Sequence, residues 1–527
     1  MPDGVAGLDT LPPVPASVVH MLAEAADSHP QRPAVTFGDT TLTYAALLRA
    51  VAGLAQRWRA LVGPGERIAL VMGNSLDLVV ATYAAHAAGA QVVPLNPAYT
   101  GREIGAMLED CQPRLVVYDT SIAADVHGLC AALGVSSVVC AGSSGTALAL
   151  EHAHGSARLP AELPSHDGLA TLQYTGGTTG RSKGVNILHR QLAVNLAQRE
   201  ALLPTERGAE VALCSMPLFH VSAVSMSLHL AGYAAAHLVL LPRYRPDWVL
   251  DAVQRHRVTL MSAGPTIYRG LLRHEGLAAA DLSSLRWCYS GSAPLPETTL
   301  RDWETATGGT ILEGYGMTEA GPVLCYNPVH GVRKTGSVGL AVPCSELEIV
   351  DADTGARCLG PGEAGEIRVR GPHVMTGYRN RPDADAEALR GGWLHTGDIG
   401  YLDGDGYLFI TGRKADTINV GGYKVYPREV EEVLFEHPAV QDAAAFGAPD
   451  GYYGQVVQVY VVPKPGATVH PDELVAHCRK ALVRYKVPRA LALTDALPKT
   501  GVGKLARRLL APIGNDINEE RTMGGKQ

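Results

Sequence analysis

The sequence predicts an α/β protein. A large N-terminal domain of parallel sheets with a β-barrel-like subdomain precedes a small α+β domain at the C-terminus. Over roughly the first 400 residues, short β-rich runs alternate with Ala- and Leu-rich helical stretches, and this order implies parallel sheets with helices on both faces. After Leu340 the strands alternate strictly between apolar and polar residues, which favours antiparallel or barrel-like strands with one face open to water.

Local patterns place the individual elements. A helix opens in Val425–Leu434 with Pro427 near its first turn, where a proline has no helical N–H to lose. Asp-Gly pairs supply the turn of a hairpin over Tyr401–Ile410. Other predicted elements are the helix Leu76–Ala88 and the strands Arg67–Met72, Gln91–Leu95, Arg114–Tyr118, Glu346–Val350 and Gly365–Arg370.

Composition limits the class of protein. The chain has 527 residues, a formal net charge of −7, 46% hydrophobic and 18% charged residues, so it can bury a large core and is neither disordered nor a small disulfide-stapled scaffold. The mild acidity argues against nucleic acid as the main partner. Nine scattered cysteines without a CxxC pair favour reduced thiols over a zinc site. Together with a start that lacks a signal-peptide pattern, they predict a cytoplasmic protein.

One stretch without charged side chains resembles a membrane span at first sight. Val211–Pro242 contains no Asp, Glu, Lys or Arg. Serines, histidines and a glycine interrupt it, whereas a membrane helix is more uniformly apolar and has flanking charges. We therefore expect a buried helix that runs into a core strand at His237–Leu241, and no membrane span.

The strongest local signal is a loop rich in glycine and threonine, Tyr174–Gly184, directly after the strand-like Leu169–Gln173. Its glycines let backbone N–H groups approach anionic oxygens, its threonines supply hydroxyl donors, and Lys183 adds a mobile positive charge. The loop is predicted to bind phosphate; the alternative is that it is an ordinary flexible turn. It is not a Walker A loop, because glycine rather than Ser or Thr follows Lys183. Its candidate residues, besides Lys183, are Thr175, Gly176, Gly177, Thr178, Thr179 and Gly180.

This loop resembles the signature of the adenylate-forming superfamily, which comprises acyl-CoA synthetases, adenylation domains and luciferases. Further motifs stand in the family's order and spacing, and the sequence is most similar to acyl-CoA synthetases. The resemblance implies a large domain over 1–412, a hinge at 413–416 and a small mobile domain over 417–527. The motifs are Gly291-Ser-Ala-Pro-Leu295, Gly314-Tyr-Gly-Met-Thr-Glu319, Gly336-Ser-Val-Gly339, Trp393-Leu-His-Thr-Gly-Asp398, Thr411-Gly-Arg413 and Leu497-Pro-Lys-Thr-Gly-Val-Gly-Lys504.

The resemblance assigns an adenine site to two of these motifs. Tyr315 can present a flat ring on which adenine stacks, and the glycines on either side of it clear space. The residues implied around adenine are Gly291, Ser292, Ala293, Gly314, Tyr315 and Gly316.

The remaining nucleotide contacts are carried by polar side chains. Thr318 and Glu319 offer a hydroxyl and a carboxylate, which suit a phosphate oxygen and Mg²⁺. The alternative for Glu319 is an acid that stabilises a helix N-terminus. By resemblance, Asp398 accepts from both ribose hydroxyls and Arg413 reaches ribose or phosphate, whereas an Asp at the end of a turn is usually only a cap.

Lys504 lies in a Gly-Val-Gly-Lys loop near the C-terminus. In the family, the matching lysine bridges the substrate carboxylate and the α-phosphate. Because carboxylate attack on a phosphate brings two anions together, a cation must offset their repulsion. The implied reaction converts a carboxylic acid and Mg·ATP to acyl-AMP and pyrophosphate, after which CoA or a carrier-protein pantetheine releases AMP. The implied catalytic residues are Lys183, Thr318, Glu319 and Lys504, whereas Lys499 is interpreted as a surface lysine.

The resemblance also implies that the small domain swings about the hinge between the two half-reactions. Gly421 and Gly422 match residues that line a pantetheine tunnel. Two positions depart from the family pattern. Ala415 occupies a hinge position that is usually Asp or Lys, and alanine cannot make a different charged contact in each arrangement. Gln455 stands where the family commonly has Glu.

The carboxylic acid is predicted to be bulky and apolar. Adenylation domains for α-amino acids usually carry an Asp shortly after the phosphate loop, and Phe219–Met226 contains none; nor does an arginine there offer a partner for a second carboxylate. Pro217–His220 resembles acyl- and aryl-CoA ligases, although a buried histidine that satisfies a backbone group is the alternative. A medium or long fatty chain and a polycyclic acid both stay open. The predicted substrate residues are His220, Ser225, Gly264 and Met317, in a wall shared with Met226 and Tyr268.

The leading hypothesis is an AMP-forming acyl-CoA synthetase that uses ATP, Mg²⁺ and coenzyme A. The alternative is an adenylation-only enzyme that passes acyl-AMP to a carrier protein or a partner enzyme, which Ala415 keeps open. A catalytically inactive, nucleotide-binding regulator could be built on the same scaffold, but the charged residues at the motif positions weigh against it. The sequence carries no signal for the oligomeric state.

Overall fold

The computed structural model describes residues 8–135, 137–175, 182–499 and 505–513, and the chain divides into two compact units. The first unit runs to Glu348 and includes Arg368–His395 and Asp405–Leu408. The second contains Ile349–Ile367, Thr396–Gly404 and the chain from Phe409 onward. A large and a small unit of mixed α/β structure confirm the predicted fold class, whereas the boundaries proposed at 412 and 416 stay predictions.

The helices of the described residues are mostly short and amphipathic. They are α1 (Val18–Ser28), α2 (Tyr44–Arg59), α3 (Leu76–Ala87), α4 (Gly101–Cys111), α5 (Val126–Ala132), α6 (Ala147–Ala153), α7 (His189–Leu202), α8 (Val221–Ala223), α9 (Leu230–Ala234), α10 (Pro246–His256), α11 (Pro265–Leu272), α12 (Glu297–Thr307), α13 (Pro382–Ala388), α14 (Pro427–Phe435) and α15 (Pro471–Ala481). A π-helix, Val224–His229, joins α8 to α9, and short 3₁₀ helices include Thr318–Ala320 and Lys414–Asp416.

The strands of the first unit and of the segments that follow it are β1 (Pro33–Phe37), β2 (Thr40–Thr43), β3 (Arg67–Val71), β4 (Gln91–Leu95), β5 (Leu115–Tyr118), β6 (Ser137–Cys140), β7 (Leu169–Thr175), β8 (Lys183–Leu188), β9 (Val211–Cys214), β10 (His237–Leu240), β11 (Leu260–Ala263), β12 (Trp287–Ser290), β13 (Ile311–Gly316), β14 (Val323–Tyr326), β15 (Leu340–Ala341), β16 (Glu346–Val350), β17 (Gly365–Arg370), β18 (Gly377–Tyr378), β19 (Leu394–Leu402) and β20 (Leu408–Arg413). Those of the C-terminal segment are β21 (Ile418–Val420), β22 (Tyr423–Val425), β23 (Val440–Asp450), β24 (Gly454–Pro463) and β25 (Ala490–Leu493).

Two sheets organise the first unit. Their strand orders are β15-β14-β13-β12-β11-β9-β10-β1-β2 and β18-β8-β7-β4-β3-β5-β6. The pairs β9–β11, β11–β12 and β12–β13 are parallel, as are β3–β4 and β3–β5. Helices α3 and α7 each contact strands of both sheets, so they lie between the sheets. This position explains why every residue of α3 is buried, since a helix covered all round cannot keep a polar face.

The second unit is built on the sheet β22-β21-β24-β23, with β25 paired to β24. Helices α14 and α15 pack against each other and against β23 and β25 respectively, over a core that includes Val425, Val459 and Leu474. Pro427 is the first residue of α14, as predicted. A further sheet has the strand order β16-β17-β19-β20.

The uncharged stretch Val211–Pro242 forms β9, α8, the π-helix, α9 and β10. The expected buried helix that leads into a core strand is therefore confirmed. Among the helices of the described residues, none combines the length and the apolar character that crossing a membrane requires.

Candidate active site

The candidate site lies where parallel strands of the nine-stranded sheet end. Ala263 of β11 is in register with Ser290 of β12, and Ser290 is in register with Glu313 of β13. The carboxyl ends of these strands therefore reach the same edge of the sheet. Sheets of this kind bind ligands at that edge, because the loops that follow the strands meet there.

Three glycines form a row along this edge. A methyl group added to Gly264 would lie 3.8 Å from the carbonyl oxygen of Gly291, and one added to Gly291 would lie 3.5 Å from that of Gly314. The three glycines stand at or near the carboxyl ends of three strands, and the register of β11, β12 and β13 aligns them. The row has no side chains of its own, and the side chain of Tyr326 lies against it at Gly314 and Gly291.

Tyr315 lies next to this row on β13, between two glycines that have no room for a side chain. A methyl group on Gly314 would approach the ring of Tyr326 to 2.5 Å, and one on Gly316 would overlap the carbonyl oxygen of Pro322. Strand β14 packs this closely because Gly314 pairs with Tyr326 in an antiparallel register. The predicted adenine residues are thus brought together.

A buried carboxylate that the sequence reasoning missed supports the loop after β12. Glu313 accepts a hydrogen bond from the backbone N–H of Leu295 at 2.9 Å, and this contact ties down the loop that carries Ser292 and Ala293. Ser292 itself has φ +67°, an uncommon conformation for a residue with a side chain. A glutamate within an apolar strand was the sequence signal for such a role.

His220, which follows β9, is linked to this loop through Ser222. The Oγ of Ser222 lies 2.7 Å from Nδ1 of His220 and 3.5 Å from Oγ of Ser292. The backbone N–H of Ser222 also donates to Nδ1 at 3.4 Å. Because Nδ1 is the acceptor, the neutral imidazole carries its proton on Nε2. Ser222 was not among the predicted site residues.

The other predicted substrate residues divide into two groups. Gly264 belongs to the glycine row, and Met317 is half-buried directly before Thr318. Ser225 is buried within the π-helix, and Tyr268 lies in the core, where its hydroxyl donates to the carbonyl of Tyr289 at 2.8 Å. Tyr268 therefore belongs to the core packed against the sheet rather than to an open wall, and Met226 is buried in the π-helix.

Glu319 and Lys183 meet at one tyrosine. Glu319 is 8% exposed and accepts from the hydroxyl of Tyr378, with 2.8 Å between the oxygens. The Nζ atom of Lys183 lies 5.0 Å from the centre of the same ring. Burial raises the pKa of Tyr378, and the negative charge of Glu319 raises it further, so the hydroxyl stays a donor. A buried carboxylate held in this way is a suitable oxygen ligand for Mg²⁺.

The phosphate loop begins and ends on a pair of antiparallel strands. Thr175 is in register with Lys183 across β7 and β8. Gly176, Gly177, Thr178, Thr179 and Gly180 lie outside the described residues. The same holds for Lys504, although Lys499 and Leu505 on either side of its segment pair as an antiparallel bridge.

In the second unit, the structure brings Asp398 and Arg413 together. Arg413 Nε lies 3.0 Å from Asp398 Oδ1. The Asp398 side chain is buried, whereas that of Arg413 is 50% exposed. Strands β19 and β20 carry the two residues and are neighbours in their sheet.

Ala415 lies in the exposed 3₁₀ helix after β20, between two charged residues that are both paired. Lys414 contacts the buried Glu366 at 3.1 Å, and Asp416 contacts Arg507 at 3.5 Å. Ala415 thus carries no charge itself, but the residues on both sides of it form ion pairs.

Gly421 and Gly422 form the two-residue turn between β21 and β22, with φ values of +58° and +91°. Positive φ at both positions is what such a hairpin turn requires, so the glycines have a conformational role. Gln455 Oε1 accepts from the backbone N–H of Asn419 at 2.8 Å, and Asn419 Oδ1 accepts from Gly422 N–H at 2.9 Å. The side chain of Gln455 therefore anchors the hairpin, and a glutamate would supply the same acceptor oxygen.

Comparison with known proteins identifies the class of enzyme. The AMP-binding enzyme family matches residues 22–379, and the AMP-binding enzyme C-terminal domain matches residues 429–504. The chain belongs to the AMP-binding enzyme family.

Two curated relatives are similar over almost the whole chain. A long-chain-fatty-acid–CoA ligase of Bacillus subtilis is 37% identical, with 93% of each chain covered. A feruloyl-CoA synthase of Amycolatopsis is 39% identical, with 91% of this chain and 95% of the relative covered. Among solved structures, ATP-bound MatB from Rhodopseudomonas palustris superposes with a TM-score of 0.87 at 31% identity, covering 93% of this chain and 97% of that one.

The protein is therefore an AMP-forming acyl-CoA synthetase. It uses ATP, Mg²⁺ and CoA to activate a carboxylic acid as acyl-AMP and to transfer the acyl group to the thiol.

Proposed function

We propose that the acid is apolar, either a fatty acid or a bulky aromatic or polycyclic acid. The observation that carries this proposal is the absence of Asp, Glu, Lys and Arg from Val211–Pro242, the segment that contains His220 and the π-helix. A charged group on the substrate would find no counter-charge there, and burial of an unpaired charge is strongly unfavourable. The relatives named for long-chain fatty acids and for ferulate support both kinds of acid.

We propose a role in nucleotide binding for residues of each unit. We propose that adenine lies against the glycine row and Tyr315, since the three glycines carry no side chains of their own. Thr318 would bind a phosphate oxygen, and Asp398 and Arg413 would bind ribose. Phosphate binding is further assigned to Lys183 and to Thr175, Gly176, Gly177, Thr178, Thr179 and Gly180.

In the adenylation step, an oxygen of the carboxylate attacks the α-phosphorus of ATP and pyrophosphate leaves. Lys504 would offset the repulsion between the two anions, and Lys183 would stabilise charge that develops on the phosphates. Glu319 would hold Mg²⁺, which when bound withdraws charge from the phosphate oxygens. His220 would donate a hydrogen bond from its Nε2–H to a carboxyl oxygen, because the backbone N–H of Ser222 keeps Nδ1 as an acceptor.

In the second step, the thiol sulfur attacks the acyl carbonyl, and AMP leaves with the bond electrons. We propose that the Gly421–Gly422 turn borders the path of the pantetheine. The turn leaves Gly422 without another heavy atom within 4 Å of an added methyl group, which suits a thin chain.

The experiment is a panel of fatty, aromatic, polycyclic, α-amino and dicarboxylic acids, with Mg·ATP, in the presence and absence of CoA. Pyrophosphate and acyl-CoA are measured together. We expect turnover with apolar acids and at least a hundredfold lower kcat/KM for amino and dicarboxylic acids. Preference for a dicarboxylic or amino acid would overturn the proposed substrate class.

Lys504→Ala and Lys499→Ala provide a matched pair in the same segment. We expect the first change to lower pyrophosphate release by roughly a hundredfold or more, and the second by less than about twofold. Equal effects would remove the catalytic assignment of Lys504.

Ala415 favours one alternative, an enzyme that releases acyl-AMP to a carrier protein or partner enzyme. The same panel separates the two: acyl-AMP and pyrophosphate without thioester would support the alternative. Ala415→Lys, which restores a family residue, should then raise acyl-CoA formation without changing pyrophosphate release.

A further inference from the structure

We propose that Tyr378 is a positioning residue that holds Glu319 by its hydroxyl and Lys183 by its ring. It would thereby set the magnesium dependence of nucleotide binding. The inference rests on the proposed magnesium role of Glu319.

The backbone around Tyr378 is fixed relative to the phosphate loop. Tyr378 pairs with Val185, and Gly377 pairs with Asn186, across β18 and β8. Strand β8 begins at Lys183, so the strand that carries the tyrosine is hydrogen-bonded to the strand that carries the lysine. The Tyr378 N–H also donates to Asp385 Oδ1 at 2.6 Å. These contacts leave the side chain little freedom to move away from Glu319.

The hydroxyl restrains the carboxylate. Tyr378 and Glu319 are 9% and 8% exposed, and a hydrogen bond to a charged oxygen in such surroundings is stronger than one in water. The backbone of Glu319 is held as well, since its carbonyl accepts from Met375 N–H at 2.8 Å. The carboxylate is thus oriented before a metal arrives, and less conformational entropy is lost when it binds.

The aromatic ring of Tyr378 attracts the ammonium group of Lys183. Lys183 Nζ lies 5.0 Å from the ring centre, within the range of cation–π attraction. The same side chain therefore contacts a cation that is proposed to bind phosphate and an anion that is proposed to bind Mg²⁺. Removal of the hydroxyl alone should affect the anion, whereas removal of the ring should affect both.

The test measures equilibrium binding of α,β-methylene-ATP, which cannot be cleaved at the reacting bond, by calorimetry over a range of Mg²⁺ concentrations. No acid is added, so the outcome does not depend on the substrate. For Tyr378→Phe we expect the Mg²⁺ concentration at half-saturation to rise about tenfold, while affinity without Mg²⁺ changes less than about twofold. Tyr378→Leu should weaken Mg²⁺-free binding as well.

Tyr407→Phe is a matched control within the same unit. Tyr407 also has a lysine over its ring, Lys334 at 4.6 Å, and its hydroxyl donates to the carbonyl of Val332 at 2.6 Å. We expect no change in its Mg²⁺ dependence. A rise in Tyr407→Phe equal to that in Tyr378→Phe would overturn the inference, as would a rise below twofold in Tyr378→Phe.

A double-mutant cycle separates the inference from the role on which it rests. If Tyr378 acts through Glu319, Tyr378→Phe should add less than about twofold in a Glu319→Gln background; a full tenfold addition would overturn the inference alone. If Glu319→Gln leaves the Mg²⁺ dependence unchanged, the proposed role of Glu319 fails and the inference falls with it. If Tyr378→Phe does not fold, Tyr378→Leu takes its place in the cycle, and an effect on Mg²⁺ dependence that is undiminished in the Glu319→Gln background would overturn the inference.

Discussion

Glycines serve the candidate site in both units, but for different physical reasons. In the first unit, a methyl group on Gly316 would overlap the carbonyl oxygen of Pro322. In the second unit, Gly422 has open space around it but a φ of +91°, which side-chain-bearing residues rarely adopt. Close packing therefore requires glycine at position 316, whereas the backbone conformation favours glycine at position 422. The consequence is that the two should tolerate a methyl group to very different extents.

The two units also differ in how they hold their site side chains. In the first, Glu313 and Glu319 are buried and hydrogen-bonded to neighbouring segments. In the second, a hairpin anchored by Gln455 presents exposed residues, and nearby Tyr452 is 87% exposed. Buried partners pre-organise a site, whereas exposed groups on a short hairpin can adapt to a ligand.

The largest effect is expected for Gly316→Ala compared with Gly422→Ala. Gly316→Ala should destabilise the protein by more than about 3 kcal/mol and abolish adenylation, because the backbone of Pro322 must move. Gly422→Ala should cost only about 1 kcal/mol, the usual price of a positive φ. Thermal unfolding and pyrophosphate release measure both effects, and equal destabilisation would contradict the distinction.

Acid should weaken the first unit through buried histidines. Burial lowers the pKa of His189 to about 3 and that of His229 and His373 to about 4. Between those values and an unfolded pKa of about 6.5, the unfolded chain binds more protons than the folded chain. The free energy of unfolding therefore falls as pH drops through this window, by up to about 1.4 kcal/mol per pH unit for each histidine, and is unaffected by these groups above it.

His229→Gln tests this dependence. The variant should lose less stability than the wild type when thermal unfolding is compared between about pH 7.5 and pH 5. His166→Gln, at an exposed position, serves as the control and should keep the wild-type slope. An unchanged slope in His229→Gln would show that its burial does not govern the acid response.

A smaller effect is expected at the hairpin of the second unit. Gln455→Ala removes the acceptor for Asn419 N–H and should slow acyl-CoA formation about tenfold, with pyrophosphate release unchanged. Gln455→Glu keeps an acceptor oxygen and should stay within about twofold of wild type. If both variants lose thioester formation equally, the amide N–H₂ rather than the oxygen is the important group.

The smallest effect is expected for Ser222→Ala. Loss of the hydroxyl removes one of the contacts that orient His220 but leaves the backbone donor to Nδ1. We expect a KM for the acid raised about fivefold, with the KM for ATP unchanged, and near-complete rescue by Ser222→Thr. A change in the ATP KM instead would assign Ser222 to the Ser292 loop.

The sequence by itself determined the fold class, the family and the order of the motifs. The strand Gln91–Leu95 was predicted with its observed bounds, and Pro427 was predicted near the first turn of the helix that it begins. These features are local, because apolar periodicity and the φ of proline act within one contiguous segment. Motif spacing works in the same way, since each motif is read within one run of residues.

Tertiary structure alone decided which distant residues meet. Tyr378 reaches Glu319 across 59 positions, and Ser222 lies beside Ser292 across 70. Tyr268, which was predicted to line the pocket wall, lies in the core instead. Ser222 meets Ser292 because parallel strands joined by crossover helices bring their ends together at one sheet edge, whatever the length of chain between them. Tyr378 meets Glu319 because β18 pairs with β8, and the 3₁₀ helix Thr318–Ala320 packs against β8. Spacing in the sequence therefore carries no information about these contacts, which depend on the register of the strands and on the packing between elements.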